Sequence, residues 1–492
     1  MAPLVRVGAT SAVLSQWLEH FASTDPASVA VVDHGRPVRF VELARGVRRL
    51  AAWLLARGFV PGDVVGITVR APLRHLLTTH ALMRIGCVEL SLPSYEPAGA
   101  RATLAARCRA SCVITDGADD DLPGLSRVAP DFDAVLADAS LDAAPLPPVS
   151  RHARASILTS SGTTGRPKLV ACSQYQLWGY GQPETPGATV SLVGYPIESN
   201  AGKWIGLRNL ARGWTLVYED LERVSLQDVV ARDRVTRVNL APARVEALAR
   251  ACERSGPTPA FPGVRIHTGG APVSAEVRRL VLQAVSPVFC LHYGATEIGL
   301  VTQAGPDVHA SHPDSVGHLF PGIDLRIVDD DGRELPPGER GLVQVRSDFS
   351  ATAYLDDDEA SAKMFRDGWF QPGDVGAIGP GGMLFLSGRS DDMMIMNSIN
   401  VFPAEIEKVA TGYPGVHECA AFGFASSAFG QIPALAVVAA PGLDDAALLA
   451  WCRERLGLRA PRKIVRVDAL PRNALGKVLR REIAASLREP RE

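Results

Sequence analysis

Apolar residues in the first 120 positions follow two alternating periods. From Leu43 to Leu54 they recur every three to four residues and stop at Gly58, which predicts an amphipathic helix. The next segment, VVGITV at 64–69, is short and continuously apolar, as in a buried strand. The alternation of helix and strand patterns continues through predicted helices at 73–85 and 98–108 and predicted strands at 87–92 and 111–116. This alternation indicates a parallel sheet with helical crossovers.

A second series of the same kind begins after Gly213. Its predicted strands are 215–218, 235–241, 264–270 and 288–294, and its predicted helices are 243–254 and 274–285. Between about 316 and 390 the pattern changes to short alternating segments separated by turns such as DDDGRELPPGERG, which indicates a small antiparallel sheet or barrel. From about 391 onward, strand-like runs (AAFGF, ALAVVAA) mix with helical ones (AALLAWCRERLG, VLRREIAASLRE).

The sequence therefore predicts an α/β protein of two domains. The large N-terminal domain, residues 1–390, contains two α/β subdomains plus a small β-barrel-like subdomain, and the small α+β C-terminal domain spans 391–492. A chain of 492 residues is too long for one core, since cores stop growing at about 250–300 residues. The last segment, of roughly 100 residues, is long enough to fold as a unit.

Composition narrows the function classes. Hydrophobic residues make up 47% and charged residues 21%, so disorder and coiled coil are excluded. Lys and Arg total 51 against 53 Asp and Glu, a net charge of −2 that gives no long-range attraction to nucleic acid or to an anionic membrane. The eight cysteines are scattered without zinc spacing, and neither a signal peptide nor an apolar run of about 18 residues occurs. We expect a soluble cytoplasmic protein.

The most informative stretch is TSSGTTGRPK at 159–168, directly after the strand-like 156–158. Glycines let the backbone approach an anion, hydroxyls and amides donate hydrogen bonds, and lysine adds a point charge, so the stretch predicts a phosphate-binding loop. It is not a Walker A motif, which needs four residues between its glycines where this chain has two. Taken alone, it would also fit a flexible Ser/Gly linker.

The loop resembles the phosphate loop of the adenylate-forming superfamily, which comprises acyl- and aryl-CoA synthetases, carrier-loading adenylation domains and luciferases. Other segments resemble that family's motifs in the same order along the chain. They are Tyr293-Gly294-Ala295-Thr296-Glu297, Gly373-Asp374, Gly388-Arg389-Ser390-Asp391-Asp392, Pro403-Ala404-Glu405-Ile406-Glu407 and Gly476-Lys477. With the amino-terminal helix and strand units, the resemblance covers nearly the whole chain.

The resemblance implies ATP as a substrate and Mg²⁺ as a cofactor, and it assigns roles to residues of this sequence. Thr296 would donate to the α-phosphate, Glu297 would bind magnesium, Asp374 would accept from the ribose hydroxyls, and Lys477 would bridge the carboxylate and the α-phosphate. The 161–168 loop, with Lys168, would hold the β- and γ-phosphates, and the residues expected to bind the nucleotide here are Thr159, Ser160, Ser161, Gly162, Thr163, Thr164 and Gly165. These positions would offset the repulsion between a carboxylate and the phosphate that it attacks.

The remaining nucleotide contacts are implied in the same way. The turn Gly269-Gly270-Ala271-Pro272 resembles the adenine-side strand, with Tyr293 stacking on the base and Gly294 following it; an ordinary tight turn is the alternative. Arg389 and Asp391 mark the junction of the two domains, and the small domain would rotate about Asp391 between adenylation and acyl transfer.

The pocket for the acid would lie around 196–204, where acyl-CoA synthetases carry Pro-x-x-His. Ser199 replaces the gating histidine, and Asn200 lies near the aspartate with which amino-acid adenylation domains bind an ammonium group. A neutral amide suits a polar substituent on an aryl or small acyl acid; alternatively, Asn200 caps the following helix. We place Trp204, Gly269 and Ala295 in the same pocket.

Two histidines are given no catalytic role, and two positions after Arg389 differ from the family's motif. His267 and His292, at predicted strand ends, are interpreted as packed or pocket-lining residues without a catalytic role. After Arg389 the family reads D-x-I-K-x-x-G, whereas this chain has Ile395 at the lysine and Ser398 at the glycine. In the family, that glycine belongs to the loop lining the tunnel in which the thioester forms. A side chain there bears on the second half-reaction, with CoA as acceptor, and not on adenylation.

The leading hypothesis is an ATP-dependent acid–thiol ligase that forms an acyl-adenylate and transfers the acyl group to a thiol, with CoA as the expected acceptor. Inside the superfamily, the alternatives are a carrier protein bearing phosphopantetheine and an amine acceptor. Outside it, the alternative is a nucleotide-binding protein without turnover. The joint presence of Lys168, Glu297, Asp374, Arg389 and Lys477 argues against the last, because binding alone does not need a carboxylate-bridging lysine.

Overall fold

A computed structural model gives the fold. It describes residues 14–117, 122–160, 167–179, 184–256, 258–396, 399–426, 430–472 and 478–486. The helices are α1 (Leu14–Thr24), α2 (Phe40–Leu55), α3 (Pro72–Arg84), α4 (Ala98–Arg107), α5 (Phe132–Ala137), α6 (Gln174–Trp178), α7 (Asn200–Ala211), α8 (Leu226–Asp233), α9 (Pro242–Ser255), α10 (Ala275–Leu280), α11 (Pro306–Ser311), α12 (Asp358–Met364), α13 (Pro403–Ala410), α14 (Asp445–Leu456) and α15 (Arg480–Ser486).

The strands alternate with these helices in the first half of the chain and cluster in the second. They are β1 (Val29–Asp33), β2 (Arg36–Arg39), β3 (Val64–Thr68), β4 (Val88–Ser91), β5 (Cys112–Thr115), β6 (Ser126–Val128), β7 (Arg154–Ser160), β8 (Lys168–Ser173), β9 (Val190–Val193), β10 (Thr215–Tyr218), β11 (Arg237–Asn239), β12 (Arg265–Gly269), β13 (Phe289–Ala295), β14 (Gly299–Ala304), β15 (His318–Leu319), β16 (Asp324–Val328), β17 (Gly341–Arg346), β18 (Phe365–Arg366), β19 (Trp369–Phe370), β20 (Asp374–Ile378), β21 (Leu384–Arg389), β22 (Met394–Met396), β23 (Ile399–Val401), β24 (Val416–Ser426), β25 (Gly430–Ala439) and β26 (Lys463–Arg466).

Two large sheets form the centre of the molecule. The first has the order β6-β5-β3-β4-β7-β8, parallel except for the edge pair β7 and β8. The second has the order β15-β14-β13-β12-β11-β9-β10-β1-β2. The predicted parallel rhythm of each series is confirmed. One detail was not predicted: β1, near the start of the chain, belongs to the second sheet and pairs with β10, with Val31 opposite Leu216.

Helices fill the space between and outside the two sheets. A core of apolar side chains from α1, α2 and α3 packs against strands of both sheets, including Val31, Ile67 and Leu216. Helices α8, α9 and α10 cover the outer face of the second sheet, and α4 covers the outer face of the first. Each sheet is therefore buried on both faces, which explains why its strands are nearly continuous apolar runs.

The chain after the second sheet forms two smaller sheets. Strands β16 to β21 make a six-stranded antiparallel sheet, as the alternating pattern predicts. Strands β22 to β26 make a separate sheet that packs with α13 and α14 around its own core. The proposed division between residues 390 and 391 lies between β21 and β22 and stays a prediction. Among the described helices, none combines the length and hydropathy of a membrane span.

A buried ion pair crosses the space between the two large sheets. Lys203 of α7 donates to both carboxylate oxygens of Glu89 on β4, at 2.7 and 2.6 Å, and both side chains are at most 1% exposed. The carboxylate also accepts from Ser91 and Ser156. Burial alone raises the pKa of Glu89, but the charge and hydrogen bonds of Lys203 outweigh it, so the pKa lies below its usual value. The pair fixes α7 against the first sheet.

We predict that Lys203→Met destabilises the protein by about 3–5 kcal/mol, because it leaves Glu89 charged in the core without a partner. The double variant Lys203→Met with Glu89→Gln removes both charges and recovers much of that loss. The free energy of unfolding is measured by urea denaturation followed by circular dichroism.

The matched control is Lys408→Met, which breaks an equally short pair with Asp314 at 2.6 Å whose side chains are 61% and 50% exposed. It costs at most about 1 kcal/mol, because exposed pairs contribute little. Equal losses in the Lys203 and Lys408 variants would contradict the role given to burial.

Candidate active site

The predicted phosphate loop starts and ends in a β-hairpin. Thr159 and Ser160 are the last residues of β7, and Lys168 is the first of β8, paired with Ser160. Their assignment to a loop was wrong, because the backbone hydrogen bonds of the hairpin extend to these positions. The residues 161–165 and Lys477 lie outside the described residues, and the roles given to them stay predictions.

Glu297 is held by two hydroxyl groups next to this hairpin. Its Oε1 accepts from the Ser160 hydroxyl at 2.7 Å and from the Tyr354 hydroxyl at 2.8 Å, and the residue is only 5% exposed. The Lys168 ammonium lies 4.8 Å from the centre of the Tyr354 ring. Burial and the charge of Glu297 raise the pKa of Tyr354, so its hydroxyl stays a donor. Magnesium usually binds one or two carboxylates plus substrate phosphates, so the Glu297 carboxylate fits this ion as a single protein ligand.

The turn that carries Glu297 depends on a glycine. Thr296 follows directly after β13, and strands β13 and β14 pair with a register shift between Tyr293 and Gly294. A Cβ at Gly294 would collide with the Gly299 carbonyl oxygen, so only glycine allows this close approach. The motif thus places Thr296 and Glu297 at the carboxyl end of β13, where ligands of open α/β sheets bind.

Tyr293, near the end of β13, contacts Asp374, the first residue of β20. The Tyr293 hydroxyl donates to Asp374 Oδ2 at 2.6 Å, and burial together with Asp374 raises the pKa of Tyr293 well above its usual value. Arg389, opposite Asp374 in the β20–β21 pair, lies 3.7 Å from Asp374 Oδ1 and donates to Asp391 at 2.9 Å. Their predicted nucleoside contacts and the hinge at Asp391 stay predictions, but the four residues form one connected group.

The turn after β12 supplies the remaining nucleotide-side residues. Gly269 ends the strand, and Gly270 follows with a φ of +91°, a conformation that favours glycine. A Cβ at Gly270 would meet no atom within 4 Å, so the backbone there faces open space. Ala271 and Pro272 continue the turn into α10. This is room in which a nucleoside could lie against the backbone.

Helix α7 forms one wall of the predicted acid pocket. Its N-cap is Ser199, which accepts from the Gly202 amide at 3.1 Å and donates to the Pro196 carbonyl at 2.7 Å. The alternative that Asn200 caps the helix is therefore wrong. Instead, Asn200 Nδ2 donates to the Thr159 carbonyl at 2.6 Å and ties α7 to the hairpin.

The opposite wall comes from strands β12 to β14. The Trp204 ring lies against Gly299, where a Cβ would be 2.7 Å from it. Gly269 and Ala295 end the neighbouring strands β12 and β13. The Ser199 hydroxyl is already used by the helix cap, and Ala295 packs against the core on the outer face of the second sheet. The assignment of the five residues to one acid pocket stays a prediction.

Two important residues were missed in the sequence. Tyr354 stands in an unpatterned segment, SATAYLDDD, and no local signal could have found it. Lys203 was detectable, because a lysine among Trp204, Ile205 and Leu207 on a packed helix requires an acidic partner, but the sequence does not say that this is Glu89.

Of the two positions that differ from the family's motif, Ile395 pairs with Asn400 through the backbone, and Ser398 lies outside the described residues.

Known proteins are similar to this chain over nearly its whole length. Residues 18–355 match the family described as AMP-binding enzyme, and 405–477 match the AMP-binding enzyme C-terminal domain. A feruloyl-CoA synthase from an Amycolatopsis species is 30% identical, covering 96% of this chain and 98% of the relative. Two solved structures are similar: ATP-bound MatB from Rhodopseudomonas palustris (TM-score 0.85, 25% identity, 98% and 100% covered) and amide bond synthetase McbA from Marinactinospora thermotolerans (0.83, 26%, 96% and 99%).

We predict that Tyr354→Phe raises the KM for MgATP about fivefold, because one hydrogen bond to the Glu297 carboxylate is lost while the ring beneath Lys168 remains. The measurement is a nucleotide titration of pyrophosphate exchange. Tyr175→Phe is the control, since that ring packs beside Phe349 at 5.0 Å and lies on α6. An unchanged KM in the Tyr354 variant would remove this residue from the site.

Proposed function

The chain belongs to the AMP-binding enzyme family, and we propose how its residues carry out the reaction. The protein is an AMP-forming acid–thiol ligase. It activates a small carboxylic acid with ATP and Mg²⁺ as an acyl-adenylate, releases pyrophosphate, and transfers the acyl group to the thiol of CoA.

The observation that carries the proposal is the convergence of Ser160, Lys168, Glu297 and Tyr354 at the ends of β7, β8 and β13. A cation, an acidic group and hydroxyl donors gather where the phosphate loop begins and ends. Attack of a carboxylate on a phosphate brings two anions together, so the barrier falls when fixed charges and donors offset the developing charge.

Each group has a place in that reaction. Glu297 would hold magnesium, which would supply positive charge against the phosphates. Lys168 and the adjoining loop hold the β- and γ-phosphates, and Thr296 donates to the α-phosphate. Asp374 accepts from the ribose hydroxyls, with its orientation fixed by the Tyr293 hydroxyl. The acid enters between α7 and strands β12 and β13 and presents its carboxylate at their carboxyl ends.

The finer features of the acceptor and acid are also proposals. CoA is the acceptor favoured by the CoA-ligase relative. A carrier protein bearing phosphopantetheine would use the same thiol chemistry. An amine acceptor is the second candidate, and it is favoured by the likeness to an amide bond synthetase and by the side chain at Ser398 where the family has glycine.

We predict that the purified protein with Mg²⁺ exchanges labelled pyrophosphate into ATP only when a cognate acid is present. A panel of carboxylic acids is tested one at a time, and the nucleotide product is identified by chromatography. AMP is the expected product. Formation of ADP, or exchange that needs no acid, would reject the proposed reaction.

The acceptor is decided by a single-turnover experiment. Acyl-adenylate formed on the protein is challenged separately with CoA, a phosphopantetheinylated carrier and simple amines, and the rate of AMP release is recorded. We expect CoA to accelerate release. Acceleration by amines without acceleration by either thiol would favour the second candidate.

We predict that Lys477→Ala slows adenylate formation by about 10²–10³-fold, the usual cost of losing one donor to developing charge. Transfer from a supplied acyl-adenylate is nearly unchanged, because the implied rotation of the small domain carries this lysine away from the site. Lys463→Ala, in the same domain with its ammonium 4.7 Å from the Phe424 ring centre, leaves both steps unchanged. Equal losses in both steps of the Lys477 variant would contradict the rotation.

A further inference from the structure

A pair of buried imidazoles lies in the cleft between α7 and strands β12 and β13. His267 Nδ1 and His292 Nε2 are 2.8 Å apart, and the two rings are nearly parallel, with centres 5.1 Å apart. The outer nitrogens, His267 Nε2 and His292 Nδ1, are buried without a hydrogen-bond partner among the described residues, as is Trp204 Nε1. Buried polar atoms are normally paired, so three unpaired ones along one cleft need an explanation.

Strand register places the pair on the pocket side of the sheet. His267 is opposite Cys290, and Gly269 is opposite His292, so these four residues share one face. The intervening Leu291 belongs to the core on the other face, under α8, α9 and α10. The histidines therefore face away from that core and toward α7.

Helix α7 confirms this orientation from the opposite wall. Asn200, Trp204 and Arg208 recur every four residues and so share one face of the helix. Trp204 reaches Gly299 beside β13, and the Arg208 guanidinium lies 5.4 Å from the centre of the Trp204 ring. The charge of Arg208 also acts on His292, where it helps lower the pKa. The histidine pair thus lines the cleft whose walls carry the predicted acid pocket.

The pair lies back from the strand ends that face the nucleotide. Gly269 ends β12 two residues after His267, and Ala295 ends β13 three residues after His292, which is about 7 and 10 Å along the strands. An acid whose carboxylate reaches the strand ends therefore meets the histidines with its distal end. The Phe320 ring is nearly parallel to His292, with centres 6.0 Å apart, and with Trp204 it makes this region flat and aromatic.

The imidazoles are uncharged at neutral pH. Burial, with the charges of Arg237 and Arg208, lowers the pKa of His292 to about 3. Burial, with Arg237 and His292, lowers that of His267 well below its ordinary value. In a neutral hydrogen-bonded pair, one outer nitrogen carries a hydrogen and the other a lone pair, and exchange of tautomers swaps them.

We propose that the His267–His292 pair binds a hydroxyl group at the distal end of the acid, so that the substrate is a hydroxylated aryl acid. This inference rests on the proposed function and names the substrate class of that same site. A hydroxyl both donates and accepts, so it pairs with either outer nitrogen in either tautomer. A second carboxylate can only accept, so it pairs with the outer N–H and leaves the outer lone pair unmatched, and an alkyl or bare aryl end leaves both nitrogens unpaired.

The test is binding of non-reactive acyl-adenylate analogues by isothermal titration calorimetry. Acyl-sulfamoyl adenosines are compared in two matched pairs, benzoyl with 4-hydroxybenzoyl and cinnamoyl with 4-hydroxycinnamoyl, together with 4-carboxybenzoyl. In the wild type, the hydroxylated member of at least one pair binds about tenfold tighter, as expected for one satisfied buried hydrogen bond.

Variants of the two histidines test whether they cause the preference for the hydroxylated analogue. His267→Phe and His292→Phe bring the ratio of dissociation constants within a pair close to one. His267→Gln keeps a polar atom near the Nε2 position and retains part of the preference. The matched control is His309→Phe: His309 is also buried with unpaired nitrogens, but it stacks on Phe289 on the other face of the sheet, so the full ratio is kept.

The outcomes separate this inference from the proposed function. Equal binding within both pairs, or a preference unchanged in both Phe variants, overturns the hydroxyl site alone. Tightest binding of the 4-carboxybenzoyl analogue also overturns it, in favour of an anion site. If no analogue binds, the hydroxyl site and the proposed function are both rejected. Circular dichroism of each variant confirms that the changes in affinity do not come from unfolding.

Discussion

The buried pair between Lys203 and Glu89 is the interaction on which the site depends. It joins α7, which belongs to the layer between the sheets, to β4 at the centre of the first sheet. A charge at this depth is tolerated only if it is matched, so α7 has little freedom to shift or rotate. Through Asn200 and Trp204 the same helix positions the hairpin of the phosphate loop and one wall of the acid pocket. A core interaction thereby sets the geometry of the site.

The active site is assembled from three sheets that are far apart in sequence. The first supplies Ser160 and Lys168, and the second supplies Glu297 at the turn after β13. Asp374 comes from the third, the antiparallel sheet. The hydrogen bonds from Ser160 to Glu297 and from Tyr293 to Asp374 link these sheets at the site. Because each link is a short hydrogen bond to a carboxylate, small displacements of one sheet alter the charge distribution that the nucleotide meets.

Contacts between the last sheet and the rest of the chain are of a different kind. Two ion pairs, Arg340 with Glu405 and Lys408 with Asp314, cross this junction with largely exposed cations. Exposed pairs contribute little and are screened by salt. These pairs therefore present only a small barrier to the reorientation of the small domain that the resemblance implies, whereas the buried pair at α7 holds that helix firmly against the first sheet.

The sequence by itself determined the architecture and the reaction class. Apolar periodicity located the helices and strands, since burial on one or both faces imposes a period, and ordered motifs such as YGATE identified the chemistry. It did not show that β1 joins the second sheet, that Tyr354 donates to Glu297, or that His267 and His292 are paired. These contacts join residues 25 to 185 positions apart, and local pattern carries no information about them. Only tertiary structure decides them, because a side chain's partner depends on how strands and helices pack.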